Sequence, residues 1–285
     1  MSSGPVFPRI AIVGLGLIGG SIAFAAKRAW PSTHVIAVDR EPVLREAISR
    51  RAIDAAAANL DALSAADLVV LAAPVRQNIV LLKQVSTHLS PSAVVTDVGG
   101  TKRTMIDAAA ALPRQVRFVG GHPLGGGARG GFEFATAGLF ARRPWIFTPG
   151  SGLDDAVARL SAFVSGLGAY PTTMTAAEHD RLMALISHLP QLAATALMEA
   201  VGRAAKAPGL KMAGQGLVDT TRLASSPADV WRDICVTNAD EIRSALDLLI
   251  DRLSEMRADL ERTEVIDAVF DDAAHWRAEL MKGRD

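Results

Sequence analysis

The stretch "AIVGLGLIGGSIA" (residues 11–23) decides the fold. It joins a short β-branched run, "RIAIVG" (9–14), to a helical run, "IGGSIAFAAKRA" (18–29), through Gly14-x-Gly16-x-x-Gly19. Three glycines at this spacing say little alone. Between a strand and a helix they form a dinucleotide-binding fingerprint. Gly14 permits the tight turn, Gly16 lets the backbone approach a pyrophosphate, and Gly19 lets the helix pack on the strand. The helix start, Leu17 and Ile18, then turns free N–H groups and a positive dipole end toward phosphate. Asp39 closes a second strand 20 residues past Gly19. A carboxylate there accepts hydrogen bonds from the adenosine ribose hydroxyls and repels a 2′-phosphate, which favours NAD over NADP. Arg40 beside it pulls the other way, because an arginine accommodates that phosphate.

Outward from this turn the chain alternates. Strands are expected at "HVIAVD" (34–39), "LVVLAAP" (68–74), "AVVTDVG" (93–99), "VRFVGG" (116–121), "PWIFTP" (144–149) and "AYPTTMT" (169–175). Helices are expected at "EPVLREAISRR" (41–51), "VRQNIVLLKQVSTHL" (75–89), "TKRTMIDAAAAL" (101–112) and "LDDAVARLSAFVSGLG" (153–168). This alternation implies a mostly parallel, doubly wound sheet with helices on both faces. From Ala176 no strand signal remains. Runs 176–205 and 225–263 read as long helices and 265–281 as a last one. The second run starts with Ser226 as N-cap, Pro227 at the first helical position and Asp229 near the positive end. The fold class is therefore α/β, with a Rossmann-type domain over 1–172 and an all-α domain over 173–285.

Composition narrows the function. Thirty basic residues balance thirty acidic ones, so neither nucleic acid nor a charged membrane surface is an expected partner. No apolar run reaches membrane-spanning length. The single cysteine, Cys235, excludes an intrachain disulfide framework and fits a reducing cytoplasm. The opening "MSSGPVFPRI" shows no charged segment followed by an apolar run, so no signal peptide is expected. No metal-ligand spacing and no nucleophilic serine or cysteine constellation is evident. The long apolar helices carry more surface than a small domain buries, which points to a homodimer built by the helical domain.

A bound dinucleotide lies along the carboxyl ends of the strands. Those ends carry "AAPV" (72–75), "DVGGTK" (97–102) and "GGHPLGG" (120–126), so Ala73, Pro74 and Gly99 are candidate cofactor contacts. They also bring His122 toward the nicotinamide. Histidine is the side chain suited to proton transfer near neutral pH. His188 stands two residues before Pro190, which cannot donate to the carbonyl of Ile186 and kinks the helix there. His188 is open to two readings, a ligand contact or a solvated helix residue. His179 lies nine residues earlier, on the opposite face of a regular helix, and reads as structural. Asp219 and Arg222, three apart, suit an i,i+3 pair on one helical face.

In chain order "GLGLIGGSIA", "DVGGTK", "GGHPLGG", "EHDRLMALISHLP" and "DTTR…WRD" resemble prephenate and arogenate dehydrogenases, the cyclohexadienyl dehydrogenases. The resemblance covers nearly the whole chain. It implies a Rossmann domain followed by a helical dimerisation domain. The implied reaction is NAD(P)-dependent oxidation of prephenate or arogenate with loss of carbon dioxide, on the route to tyrosine. Hydride leaves C4 of a cyclohexadiene, a base takes the C4 hydroxyl proton, and loss of the C1 carboxylate makes the ring aromatic. The family's catalytic histidine matches His122 as general base. The resemblance also implies substrate contacts for His188, Arg222 and Trp231. A guanidinium holds a carboxylate through two parallel hydrogen bonds. Trp231 reads equally as a core anchor, and Asp219 as half of a surface ion pair.

Two positions depart from the family. Where it has a serine that orients the histidine, this chain has Gly100, and Thr101 or a water is left to supply a hydroxyl. Where it has an acid six positions past the histidine, this chain has Ala128, followed by Arg129. Two other functions stay open on sequence: a 3-hydroxyacid-type dehydrogenase of similar build and a catalytically silent NAD-binding regulator. The first needs a lysine in the helical domain, and no motif surrounds Lys206 or Lys211.

Overall fold

In the computed structural model, which describes residues 4–113, 115–126 and 129–282, the first half of the chain builds one eight-stranded sheet. Its elements are β1 (Arg9–Val13), α1 (Leu17–Ala29), β2 (His34–Val38), α2 (Glu41–Ser49), β3 (Ala55–Ala56), β4 (Leu68–Leu71), α3 (Val75–Val85), β5 (Val94–Asp97), α4 (Arg103–Ala110), β6 (Arg117–Pro123), β7 (Pro144–Pro149), α5 (Asp154–Gly166) and β8 (Tyr170–Thr173). The strand order is β3-β2-β1-β4-β5-β6-β7-β8. Every pairing is parallel except β6 with β7. The chain reverses direction at β1, running outward to β3 on one side and to β4 on the other. This is the switch point at which open α/β sheets bind ligands. The two-residue strand β3 is too short to leave a periodic signal, and the sequence reading missed it.

The apolar alternation explains why the sheet is covered twice. Ile10, Ile12, Leu68 and Val70 enter one buried cluster with α1 and α5, through Ile22, Leu160 and Phe163. Ala11, Val13, Val69 and Leu71 enter the other, with Leu82 of α3 and Met105 of α4. A strand buried on both faces reads as a continuous apolar run, as "LVVL" does.

After β8 the chain is helical: α6 (Ala176–Met183), α7 (Leu189–Leu210), α8 (Gln215–Thr220), α9 (Ala228–Thr237), α10 (Ala239–Ala258) and α11 (Glu264–Met281). The residues form two compact units, Met1–Ala239 and Asp240–Asp285. No helix is long and apolar enough to cross a membrane, among the described residues.

Both long helices expected from sequence are interrupted. Between α6 and α7, Ala184–His188 is a π-turn, closed by Leu189 donating to the carbonyl of Ala184. Pro190 causes it by leaving the carbonyl of Ile186 without its donor. The other run breaks at Asn238, where φ is −136° and ψ 34°. Its start is one residue later than expected. Pro227 is the N-cap, in extended conformation, and Ser226 donates to Gln191 Oε1 instead at 3.1 Å.

Gly14 has φ +99°, and a Cβ on it would lie 2.8 Å from the carbonyl carbon of Ala72. A Cβ on Gly19 would lie 2.0 Å from the Gly14 oxygen, whereas one on Gly16 meets nothing within 4 Å. Gly19→Ala is therefore expected to cost about 1–3 kcal/mol in urea unfolding. Gly16→Ala is expected to keep stability within about 1 kcal/mol and to lose dinucleotide affinity alone. Equal stability losses in both variants would refute this division of roles.

Candidate functional site

The turn after β1 opens on a cleft of about 770 Å³ lined by Gly14, Gly16, Asp39, Arg40, Ala73 and Pro74, among others. Three observations fit it to a dinucleotide. The α1 N-terminus has no side-chain cap, so its first N–H groups remain available. The space beside Gly16 is open. Asp39 is held by the N–H groups of Leu15 and Arg40, at 2.5 and 2.6 Å, with its carboxylate at the cleft wall. The Arg40 side chain is largely solvated. Leu17 and Ile18 are the first residues of α1 and half-buried. Asn78 pins the "AAP" loop, accepting from the Ala73 N–H at 3.1 Å and donating to the Leu71 carbonyl at 3.1 Å. Gly99 is not part of the cleft lining. It is buried, and its N–H donates to Asp97 Oδ2 at 2.8 Å.

His122 sits near the end of β6, half-buried, in a second pocket of about 350 Å³. Pro123, Leu124, Gly125 and Gly126 line one side of that pocket, and Met183 of α6 with Ile186 and Ser187 of the π-turn line the other. His122 Nδ1 lies 2.8 Å from His179 Nε2, and His179 Nδ1 lies 2.8 Å from Asp180 Oδ1. Asp180 also receives the N–H groups of Lys102 and Arg103, at 2.7 and 2.9 Å, and Arg103 Nε at 3.3 Å. Those two N–H groups begin α4, so the carboxylate caps a positive helix end. Burial pushes the Asp180 carboxyl up, but the bonds from His179, Arg103 and Lys102 outweigh it and hold it below the ordinary value. An ionised carboxylate only accepts, so His179 carries its proton on Nδ1 and presents a lone pair at Nε2. His122 then donates from Nδ1 and leaves Nε2 as a bare acceptor. Burial above all, then the repulsion that protonation would meet from a cationic His179 and from the Lys102 ammonium, holds His122 well below the ordinary imidazole value.

Two further buried residues, Lys102 and Asn238, bond to Asp180. Lys102 pairs with Asp97, which also accepts the Gly121 N–H at 3.0 Å. Burial lowers the Lys102 ammonium, against the attraction of Asp97. Asn238, freed by the helix break, donates to the Asp180 carbonyl at 2.8 Å, lies 3.4 Å from His188 Nδ1 and accepts from Arg103 at 2.8 Å. His188 is therefore buried and is no solvated helix residue. The pocket lining does not include it. The Trp231 ring stands edge-on to it, with centroids 6.0 Å apart. Trp231 is half-buried and packs on His188.

Several expectations are corrected. His179 is not a detached structural residue on the far face. The π-turn absorbs one residue, which cuts the His179–His188 rotation from about 180° to roughly 80°. Thr101 does not supply the missing hydroxyl to His122. Thr237 donates to the Asp233 carbonyl at 2.8 Å, so the Thr101 hydroxyl, 2.8 Å away, gives its proton to Thr237. Asp219 and Arg222 do not share a helix, because α8 ends between them, and Asp219 accepts from Gln215 at 2.8 Å instead. Arg222 opens an exposed 3₁₀ turn, whose Leu223 carbonyl accepts from Gln191 at 2.7 Å. Arg129 lies over the Phe134 ring at 5.7 Å, and Ala128 is outside the described residues. Position 100 faces His122 Nε2, since a Cβ there would sit 3.9 Å from it, but glycine carries no hydroxyl to offer.

Comparison with known proteins places nearly the whole chain. Residues 22–172 match the family model "Prephenate dehydrogenase, nucleotide-binding domain", and residues 175–270 match "Prephenate dehydrogenase, dimerization domain". The prephenate dehydrogenase of Bacillus subtilis is 34% identical over 262 residues, 90% of this chain and 71% of that protein. The crystal structure of A. aeolicus prephenate dehydrogenase in complex with hydroxyphenyl propionate and NAD+ superposes with a TM-score of 0.88 at 27% identity, covering 98% of this chain and 99% of that one. The Synechocystis arogenate dehydrogenase structure gives 0.79 at 28% identity, covering 95% and 99%.

The buried histidines generate a prediction about acid stability. Burial takes His188 from the ordinary 6.5 down to about 4. The unfolded chain binds this proton first. The stabilising contribution is thus complete above pH 6.5 and falls away toward pH 4, by about 3 kcal/mol. Urea unfolding free energies measured across that window are expected to fall accordingly, and to fall less in His188→Asn.

Proposed function

We propose a function from one premise: the chain belongs to the prephenate dehydrogenase family. Its reaction is the oxidative decarboxylation of prephenate, arogenate or both, with NAD as hydride acceptor. The observation that carries this reading is the bare Nε2 of His122, set in a pocket at the carboxyl end of the same sheet that builds the dinucleotide cleft. Gly14, Gly16, Leu17, Ile18, Asp39, Ala73 and Pro74 would hold NAD, which would supply a hydride acceptor for C4.

His122 Nε2 takes the C4 hydroxyl proton. Its depressed basicity keeps it neutral, and so competent as a base, to well below the ordinary imidazole pH. Leu124, Met183 and Ile186 give the pocket an apolar wall. An apolar wall suits a ring that ends the reaction aromatic and disfavours entry of water. Arg222 is assigned to the substrate carboxylate because it matches the family pattern and its guanidinium is free of Asp219. His188 of the π-turn and Trp231 of α9 pack edge to face beside this region.

Activity is checked by NADH formation with each substrate separately. His122→Asn is expected to lower kcat by about 100-fold or more, with NAD affinity unchanged. In the wild type, kcat/KM is expected to stay level as pH falls through 6.5 and to drop only below it, because the titrating base is depressed. A wild-type protein that binds NAD and turns over neither substrate would overturn the assignment.

A homodimer is part of the proposal. On α10 and α11, Leu248, Leu253, Phe270 and Trp276 are all more than half exposed, an apolar surface that a second copy would cover. Light scattering is expected to give twice the chain mass, and Phe270→Glu with Trp276→Glu to shift it toward the monomer.

A further inference from the structure

We propose that His179 and Asp180 are positioning residues that fix the tautomer and orientation of His122 from its Nδ1 side. The inference rests on the reading of His122 as the base. It begins with a direction of donation. Asp180 has four donors around its two oxygens: the N–H groups of Lys102 and Arg103, Arg103 Nε and His179 Nδ1. Every one of them requires an acceptor, so the carboxylate stays ionised and the His179 proton is drawn to Nδ1. His179 Nε2 then meets His122 Nδ1 at 2.8 Å as a lone pair. Were the His122 proton on Nε2, two lone pairs would face each other across that distance. The chain of bonds therefore has one consistent arrangement, and it leaves the reactive nitrogen bare.

The Nε2 side offers no alternative. Position 100 is a glycine whose Cβ would be 3.9 Å from Nε2. The neighbouring hydroxyl, Thr101, is bonded to Thr237. Burial of His179 and Asp180, both fully enclosed, protects the arrangement from exchange with water. The pair is anchored to α4 by its own helix end, so the imidazole is aimed by the sheet domain rather than by its glycine-rich loop.

The test is long-range ¹H–¹⁵N correlation spectroscopy of histidine-labelled protein near neutral pH, with His122 assigned through His122→Asn, alongside steady-state kinetics. The wild type is expected to show His122 as the Nδ1–H tautomer. His179→Phe is expected to lose that tautomer and about 100-fold in kcat, with KM changed by less than about threefold. His179→Gln keeps an acceptor oxygen toward Nδ1 and is expected to recover the tautomer and kcat to within about tenfold. An Nε2–H tautomer in the wild type would overturn the proposal, as would a His179→Phe protein that keeps both tautomer and kcat. If His179→Phe does not fold, the wild-type and His179→Gln spectra decide. If the wild type turns over neither substrate yet shows a His179-dependent Nδ1–H tautomer, the reaction assignment fails and the positioning stands.

Discussion

The Asp180 carboxylate is the constraint on which the site depends. It comes from the first helix after the sheet, yet half of its hydrogen bonds come from the N-terminus of α4, which the sheet positions. A buried carboxylate without donors would cost several kcal/mol. Asp180 therefore holds α6 against the end of β5, and α6 cannot shift without stranding the charge. His179 follows by being next in the chain, and His122 follows from His179. The His122 ring, whose Nε2 is the proposed base, is thus held by a charge two hydrogen bonds away from it.

The same region shows why a helix defect is useful. A regular helix through residues 176–205 would carry His188 away from His179. The π-turn forced ahead of Pro190 rotates the later residues, so that Asn238 touches both the Asp180 carbonyl and His188. It also turns Ile186 and Ser187 into the pocket wall. Asn238 reaches this point only because the following helix breaks there as well. Two interruptions in otherwise continuous apolar helices supply the polar floor and one wall.

Much of this was legible in the sequence. The strand–turn–helix reading of residues 11–23 fixes the switch point, because only glycine tolerates the Gly14 and Gly19 contacts. Asp39 and the "AAP" loop follow from the geometry of a parallel sheet. His122 was legible through its place at a strand end. The relay was not. His179 was set aside because nine residues on an ideal helix mean opposite faces, and Pro190 signalled a kink without revealing that a full residue would be absorbed. Lys102, Asp97 and Asn238 carried no spacing signal, since their partners are distant in sequence or hidden inside a strand end. Adjacency to Gly100 says nothing of where the Thr101 hydroxyl is bonded, so the sequence alone leaves Thr101 and a water as equal alternatives.

Gly100 then reads less as a loss than as a change in what holds the base. A hydroxyl beside Nε2 would orient the ring by donating to the nitrogen that must accept the substrate proton, so the substrate would compete with it. Orientation through Nδ1 leaves Nε2 with no partner to displace among the described residues. The cost is that both histidines, His179 enclosed and His122 half-buried, must remain neutral, which desolvation favours by depressing both. A base held in this way is weaker but available over a wider acidic range.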